Sequence, residues 1–292
     1  MNFITYHNAR DFVQRTRPTL EQHEVANSLI LGITLGLANA LVERDAAFYL
    51  ATVEDEEGTL LVAACMTPPH NIVLFSNNSS RDDEALALLI QNLQDNNWSV
   101  PGAIGVGQVA DNFAKIWSRR SGQRYKEGMR QRIFELSQLI PPRRVEGALR
   151  VATENDLELI TKWAVAFNQE ALHKSDALDA VQEAEHRVHK QMIYVWELPD
   201  GRVVTMAGKT RPISQVISIS LVYTPHEYRG MGYASNCVAA LSQHLLDEGW
   251  KFCSLVTDLA NPTSNSIYQK IGYRPVCDFT VYAFEAEDQS AS

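Results

Sequence analysis

Two glycines stand between a β-type run and a helical stretch in Arg229-Gly230-Met231-Gly232-Tyr233-Ala234. The run at 216–223 stops at Thr224-Pro225, and Pro225 cannot donate to a strand ladder. A strand, a glycine-bearing turn and a helix N-terminus together present backbone N–H groups to an anion. Gly230 and Gly232 let the backbone come close to a bulky ligand, and Ala234 keeps the first helical turn thin. Taken alone, the same pattern also serves as a plain strand-to-helix turn.

A second patterned stretch follows another β-type run at 253–257: Asn261-Pro262-Thr263-Ser264-Asn265-Ser266-Ile267-Tyr268-Gln269-Lys270-Ile271-Gly272-Tyr273. Pro262 suits the first helical position with Asn261 as its N-cap, and Gly272 suits the stop. Ser264, Ile267, Tyr268 and Ile271 recur at helical spacing. Along the strand before the glycine turn, strict alternation puts Ile217, Ile219, Leu221 and Tyr223 on one face. Val216, Ser218, Ser220 and Val222 take the other.

Together the two stretches resemble the GNAT superfamily of acyl-CoA-dependent N-acetyltransferases, over about 147–284. The R-x-x-G-x-A signature stands as Arg229, Gly232 and Ala234, preceded by the strand end Leu221-Val222-Tyr223-Thr224-Pro225. The later signature is matched by Asn261, Ser264, Ile267, Tyr268, Gly272 and Tyr273. The resemblance implies acetyl-CoA as co-substrate and no metal. Its pyrophosphate would lie on Arg229, Gly230, Met231, Gly232, Tyr233 and Ala234, at the positive end of the helix dipole. The family's strand splays from its neighbour here, so that backbone groups of Leu221, Val222 and Tyr223 pair with pantetheine like an added strand. One of those amides polarises the thioester carbonyl.

Asn261 and Ser264 would meet the pantetheine arm, and Tyr268 stands where the family's general acid stands. A phenol of pKa about 10 stays protonated at neutral pH and can protonate the departing thiolate. For the base, Asp258 either accepts the amine proton or caps the loop before Asn261. Glu170 and His173 either line the acceptor pocket or belong to the surface, and a water chain needs no single base.

The elements that would position these residues repeat. Pro141-Pro142-Arg143-Arg144 breaks the chain near its middle, as an exposed linker would. The expected organisation is 1–141, a linker at 142–146, 147–285 and a tail at 286–292. On each side helices (19–41; 155–171 and 177–190) lead to paired strands (48–53 and 59–66; 192–197 and 202–210). A further strand, a helix, a short apolar strand, a shorter helix and a final strand follow in both. This predicts α/β of the α+β type: two tandem GNAT-like domains, each a mixed, mostly antiparallel sheet flanked by helices.

The first half departs from the pattern. After the run at 71–75 comes Ser76-Asn77-Asn78-Ser79-Ser80-Arg81-Asp82-Asp83, with no glycine and two acids that would repel a pyrophosphate. Trp117 stands in the place of Tyr268, and an indole has no acidic O–H. The first copy is therefore read as degenerate and without acetyl-CoA.

Composition narrows the partners. With 292 residues and a formal net charge of −9, the chain lacks the basic stripe of a nucleic-acid-binding surface. More of the acidity falls in the second half, which leans toward a cationic acceptor. The four cysteines, Cys65, Cys237, Cys253 and Cys277, are scattered without C-x-x-C or zinc spacing, as in a reduced cytoplasmic protein. The N-terminal residues show no signal-peptide pattern, and the apolar stretch 29–41 is too short for a membrane span. The expected function is transfer of an acetyl group from acetyl-CoA to a primary amine of a small molecule, by direct attack in a ternary complex. The alternatives are a longer acyl group, a non-amine acceptor, or a CoA-binding sensor or scaffold without turnover. Nothing in the sequence speaks to oligomeric state.

Overall fold

A computed structural model of the chain describes residues 1–40, 47–171 and 177–285. It divides into two compact units. The first comprises Met1–Ile133, Thr257–Asn261 and residues from Pro275 on; the second comprises Phe134–Val256 and Pro262–Arg274.

In the first unit β1 (Asn2–Thr5) leads to α1 (Ala9–Leu20) and α2 (Ser28–Ala38). The helical stretch expected at 19–41 is thus two helices parted by a short 3-10 turn at Glu21–His23, and Leu41 lies outside the described residues. Asn8 opens α1 by accepting from the Arg10 N–H at 2.8 Å. Strands β2 (Tyr49–Glu54), β3 (Leu60–Met66) and β4 (Ile72–Ser76) follow, then α3 (Asp82–Asp95), β5 (Gly102–Val106), α4 (Val109–Ser121) and β6 (Tyr125–Leu136). Every residue of β2 and β3 is buried, which is why β3 reads as an unbroken apolar run rather than as alternation, while β2 carries Thr52 and Glu54 inside. Leu86, Leu89 and Ile90 of α3 and Phe113 and Trp117 of α4 pack on them.

The sheet of this unit is closed by a strand from the far end of the chain. β12 (Arg274–Phe284) runs antiparallel to β5, from Phe279 opposite Val106 to Ala283 opposite Gly102. A Cβ at Gly102 would strike the Tyr282 carbonyl, so the glycine is what allows this approach. Tyr282 then packs with Ala110 and Ala114 of α4. The strand order is β1-β2-β3-β4-β5-β12-β6.

The second unit repeats the plan: β7 (Ala148–Val151), α5 (Leu157–Ala171), α6 (Ala177–His189), β8 (Ile193–Glu197), β9 (Val203–Thr210) and β10 (Val216–Tyr223). Then come α7 (Tyr233–Asp247), β11 (Phe252–Asp258) and α8 (Pro262–Lys270). Strands β7 to β10 are antiparallel neighbours in turn, and β10 is parallel to β11. The end of β6, Phe134 and Leu136, lies in the core of this unit beside Leu255, Ile271 and Tyr273. Helix α7 covers one face with Cys237, Val238, Leu241 and Leu245. Helices α5 and α6 cover the other with Ile160, Trp163, Ala184 and Val188. Among the described residues no helix is long and apolar enough to cross a membrane.

Candidate functional site

The alternation expected along β10 holds only to Ile219. Ser220 opposes Gly208 and Tyr223 opposes Met206, so β10 spends three steps where β9 spends two. The extra residue is a bulge, and Leu221 takes it up with φ 53, a left-handed backbone rare outside glycine. Every later side chain changes face. Val222 joins Ile217 and Ile219 on the α7 side, while Leu221 and Tyr223 turn to the α5–α6 side. The expectation that Leu221 and Tyr223 share a face with Ile219 is corrected by this slip.

The bulge coincides with a parting of strands. β10 and β11 are paired from Val216–Phe252 to Ile219–Leu255, and Ser220 to Tyr223 run on without such partners among the described residues. Leu221, Val222 and Tyr223 therefore carry backbone groups that an extended ligand could meet.

Beyond Pro225 a single 3-10 turn at His226–Tyr228 leads to the glycine loop. Gly230 has φ 76 and Gly232 φ 87, and Gly232 is the N-cap of α7 without a side-chain cap. A Cβ there would sit 3.2 Å from Val145 Cγ1. Among the described residues, no acceptor meets the amides from Gly230 through Ser235; the first bonded one is Asn236 N–H, to Gly232 O at 3.1 Å. Six uncapped N–H groups at a helix N-terminus are a cradle that an anion could occupy. A cleft of about 320 Å³ adjoins it, lined by Arg143, Gly232, Ser235, Asn236 and Lys270. Asn236 holds the segment at Arg143 there, donating to Arg143 O and Gly232 O, each at 3.0 Å. The sequence reading missed Arg143 and Lys270 as cleft residues, because neither belongs to a motif.

Arg229 opens the loop, but its guanidinium turns away from the cradle. It donates to Thr224 O at 2.8 Å and to Glu170 Oε2 at 2.6 Å. Tyr223 donates its hydroxyl to the other Glu170 oxygen at 2.9 Å, and Arg229 lies over the Tyr223 ring. Glu170 thus ties the end of α5 to the strand end and the loop. Burial works to raise its carboxyl, but the bonds from Arg229 and Tyr223 outweigh it and hold it below the ordinary range. His173, the other acceptor-side expectation, lies outside the described residues.

Tyr268 stands on α8, buried, with its ring edge-on to Tyr273 at 6.0 Å. Tyr273 donates to or accepts from Ser242, whereas the Tyr268 hydroxyl has no hydrogen-bond partner among the described residues. Burial, with the neighbouring Cys237, pushes the Tyr268 phenol well above its ordinary value, so it keeps its proton. Gly272, with φ 106, ends α8 as expected. Asp258 and Asn261 cluster with the first unit. Within that loop Asp258 Oδ1 accepts from Ala260 N–H at 2.8 Å and its carbonyl from Asn261 N–H at 3.0 Å, the capping role. Ser264 lies on the first turns of α8.

Burial pushes the thiols of Cys65, Cys237 and Cys253 up to about 12 and, chiefly through burial, that of Cys277 up to about 11. None of them is a thiolate at neutral pH. Among the described residues no group of His, Cys, Asp and Glu could hold a metal ion.

Residues 201–282 match the FR47-like protein family. No curated protein matches the sequence significantly. Solved structures share the fold across nearly the whole chain. An acetyltransferase of the GNAT family from Colwellia psychrerythraea superposes with a TM-score of 0.60 at 10% identity, over 98% of this chain and 100% of the other. A GCN5-related N-acetyltransferase from Sphaerobacter thermophilus gives 0.63 at 12%, over 96% and 94%. A tandem GNAT protein from the clavulanic acid biosynthesis pathway gives 0.56 at 12%, over 98% and 99%.

Proposed function

We propose that this chain, whose fold is the GNAT acetyltransferase fold in tandem, transfers the acetyl group of acetyl-CoA to a primary amine of a small molecule. The observation that carries the reading is the continuity of one strand and one loop. The bulged, parted end of β10 offers backbone to an extended ligand, and six unpartnered amides at the start of α7 offer N–H groups to its phosphates. Pyrophosphate and pantetheine are joined in CoA in that order.

Each residue then has a task. Gly230 to Ser235 would hold the pyrophosphate by backbone, with Arg143 and Lys270 beside it in the cleft. Leu221 to Tyr223 would hold pantetheine and place the thioester at the bulge. Arg229 braces the loop through Glu170 rather than serving as a phosphate ligand. The amine nitrogen attacks the thioester carbon, the C–N bond forms and the C–S bond breaks. Tyr268, kept protonated by burial, gives its proton to the sulfur, and the surplus proton of the amine passes to solvent, from which the phenolate recovers one. Asp258, engaged in its own loop, is a positioning group for Asn261 in this reading.

The test is thiol release from acetyl-CoA across a panel of amines, with acetyl-CoA binding measured separately. Amine-dependent release supports the reading. CoA binding without turnover on any acceptor would replace it by a sensor, and turnover only with longer acyl donors or alcohols would replace the substrate pair.

A further inference from the structure

The slip in β10 is a strained local conformation, because Leu221 holds φ 53, a region that a side chain with a Cβ disfavours. β11 gives the bulge no support, since its pairing with β10 ends at Ile219–Leu255 among the described residues. With no restraint beyond the bulge, the strand end is free to relax by one residue. Leu221 would then return to the face of Ile219, and every group after it would change sides. The restraint has to come from β9, the neighbour that remains.

Thr205 of β9 supplies it. The residue lies one place beyond Met206, where the register with β10 ends, and it is fully buried. Its hydroxyl donates to the Tyr223 carbonyl at 2.8 Å and lies 2.7 Å from the Thr224 hydroxyl. A threonine hydroxyl carries one proton. With that proton given to Tyr223, Thr224 is the donor in the second bond. The next carbonyl, that of Thr224, accepts from Arg229 Nε at 2.8 Å. Two consecutive residues after the bulge are therefore fixed in place. A slip of one residue would carry both away from Thr205 by a strand step of about 3.3 Å and leave its buried hydroxyl without these partners.

The same bonds decide which residue faces the gap that β11 leaves. Tyr223 O points to the β9 edge. Backbone groups alternate edges from one residue to the next, so the N–H and C=O of Val222 point to the opposite, vacated edge. An extended ligand arm would pair with Val222. In the relaxed register those groups would lie against β9 instead, where no ligand reaches them.

We propose that Thr205 is the register lock of the β10 bulge and, through it, a positioning residue for the pantetheine arm of acetyl-CoA. This rests on the acetyltransfer reading above and adds a residue to its machinery. Thr205 itself is too deeply buried to touch the ligand; it acts by holding Val222 toward the gap.

Thr205→Val removes the hydroxyl and keeps the shape. Calorimetry with acetyl-CoA and with 3′-phospho-ADP, which is CoA without its pantetheine arm, reads the two halves of the ligand separately. Acetyl-CoA should bind about tenfold more weakly to Thr205→Val, the effect of one lost hydrogen bond to a buried carbonyl. The Kd of 3′-phospho-ADP should stay level, and Thr205→Ser, which keeps the hydroxyl, should bind acetyl-CoA as the parent does. Thr224→Val, at a half-buried position, loosens the same lock from outside the core and should show the same split to a smaller degree.

Ser218→Ala is the matched control. Ser218 is buried and lies 2.8 Å from Ser254 Oγ where β10 and β11 are still paired, so its loss should leave acetyl-CoA binding level. Equal weakening of both ligands by the Thr205 and Thr224 variants, or acetyl-CoA binding unchanged in both, would overturn the inference and leave acetyltransfer standing. Weakening by Ser218→Ala to the same degree would overturn it too, since any buried hydroxyl would then serve. A parent protein that gains no affinity from the acetylated arm over 3′-phospho-ADP would remove the arm's site on β10, and the inference with it.

Discussion

The loops that open α3 and α7 occupy the same place in the two copies, and they have solved the helix N-terminus in opposite ways. The α3 loop satisfies itself. Asn78 N–H bonds Ser76 Oγ at 2.8 Å, Ser79 N–H bonds Asn77 Oδ1 at 3.0 Å and Asp82 Oδ1 at 3.1 Å, and Arg81 N–H bonds Ser79 Oγ at 3.1 Å. Ser76 also bonds the second Asp82 oxygen. Asp82, Asp83 and Glu84 then fill the first turn with negative charge, which complements the dipole from within. The α7 loop has no such side chain, no acid in its first turn and no acceptor for its amides. One N-terminus is closed by its own carboxylates; the other keeps its amides without acceptors among the described residues. The strands before them differ likewise, since β4 keeps a regular register with β3 while β10 slips past β9.

Putting the first copy's acid into the second should have the largest effect. Gly232→Asp places a carboxylate in the cradle at a left-handed position, and acetyl-CoA affinity should fall at least about a hundredfold, roughly 3 kcal/mol. The reverse change, Asp82→Gly with Asp83→Gly, should create no second site, because Ser76, Asn77 and Ser79 still occupy most of the loop amides. Calorimetry reads both, and binding of two CoA per chain in the double variant would break the comparison.

The aromatic pair comes next. Tyr268→Phe should lower kcat by about a hundredfold or more while acetyl-CoA Kd stays level. Trp117, stacked on Phe113 and bonded from its indole N–H to Gln123 at 2.7 Å, is filler in the first copy. Trp117→Phe should cost about 1–2 kcal/mol of stability and leave kcat alone. Equal activity for Tyr268→Phe and the parent would remove the acid assignment.

A pH profile sharpens the same residue. Burial raises the Tyr268 phenol, so its protonated, working form persists as pH rises, and kcat should show no alkaline fall from it up to about pH 10, the ordinary phenol value. A descending limb near pH 8 that vanishes in Tyr268→Phe would contradict this.

The smallest effect is expected at Glu170, the brace of Arg229, whose counterpart in the α3 loop is the bond from Arg81 to Glu56 at 2.8 Å. Glu170→Gln keeps a partner for Tyr223 but weakens the bond from Arg229, and kcat/KM should drop about three- to tenfold. The carboxyl is depressed in the folded state. Its stabilisation is therefore present above the unfolded value of about 4.3 and is lost as pH falls through the folded value. The side chain is 39% exposed, so this acid-side loss is small, and the glutamine variant should lack it in pH-dependent melting.

Much of this was legible along the chain. Pro225, Gly230, Gly232, Asn261, Pro262 and Gly272 act locally, through donors they lack or angles they permit, so the ends of β10, α7 and α8 could be read from single residues. The repeat of elements, the acids of the α3 loop and the tryptophan at position 117 are also one-dimensional facts. Other features have no local signal. Alternation of apolar residues looks the same with or without a register slip, so the bulge at Leu221 and the turn of Tyr223 toward Glu170 waited for β9 to supply the opposing register. The pattern of β12 suits any antiparallel edge, and only the space above Gly102 assigns it to β5. The residues themselves determined a phosphate-type loop, a phenol on a short helix and a first copy stripped of both. Tertiary structure decided which side chains satisfy one another and which are left wanting, because hydrogen-bond satisfaction depends on distance in space and not on separation along the chain.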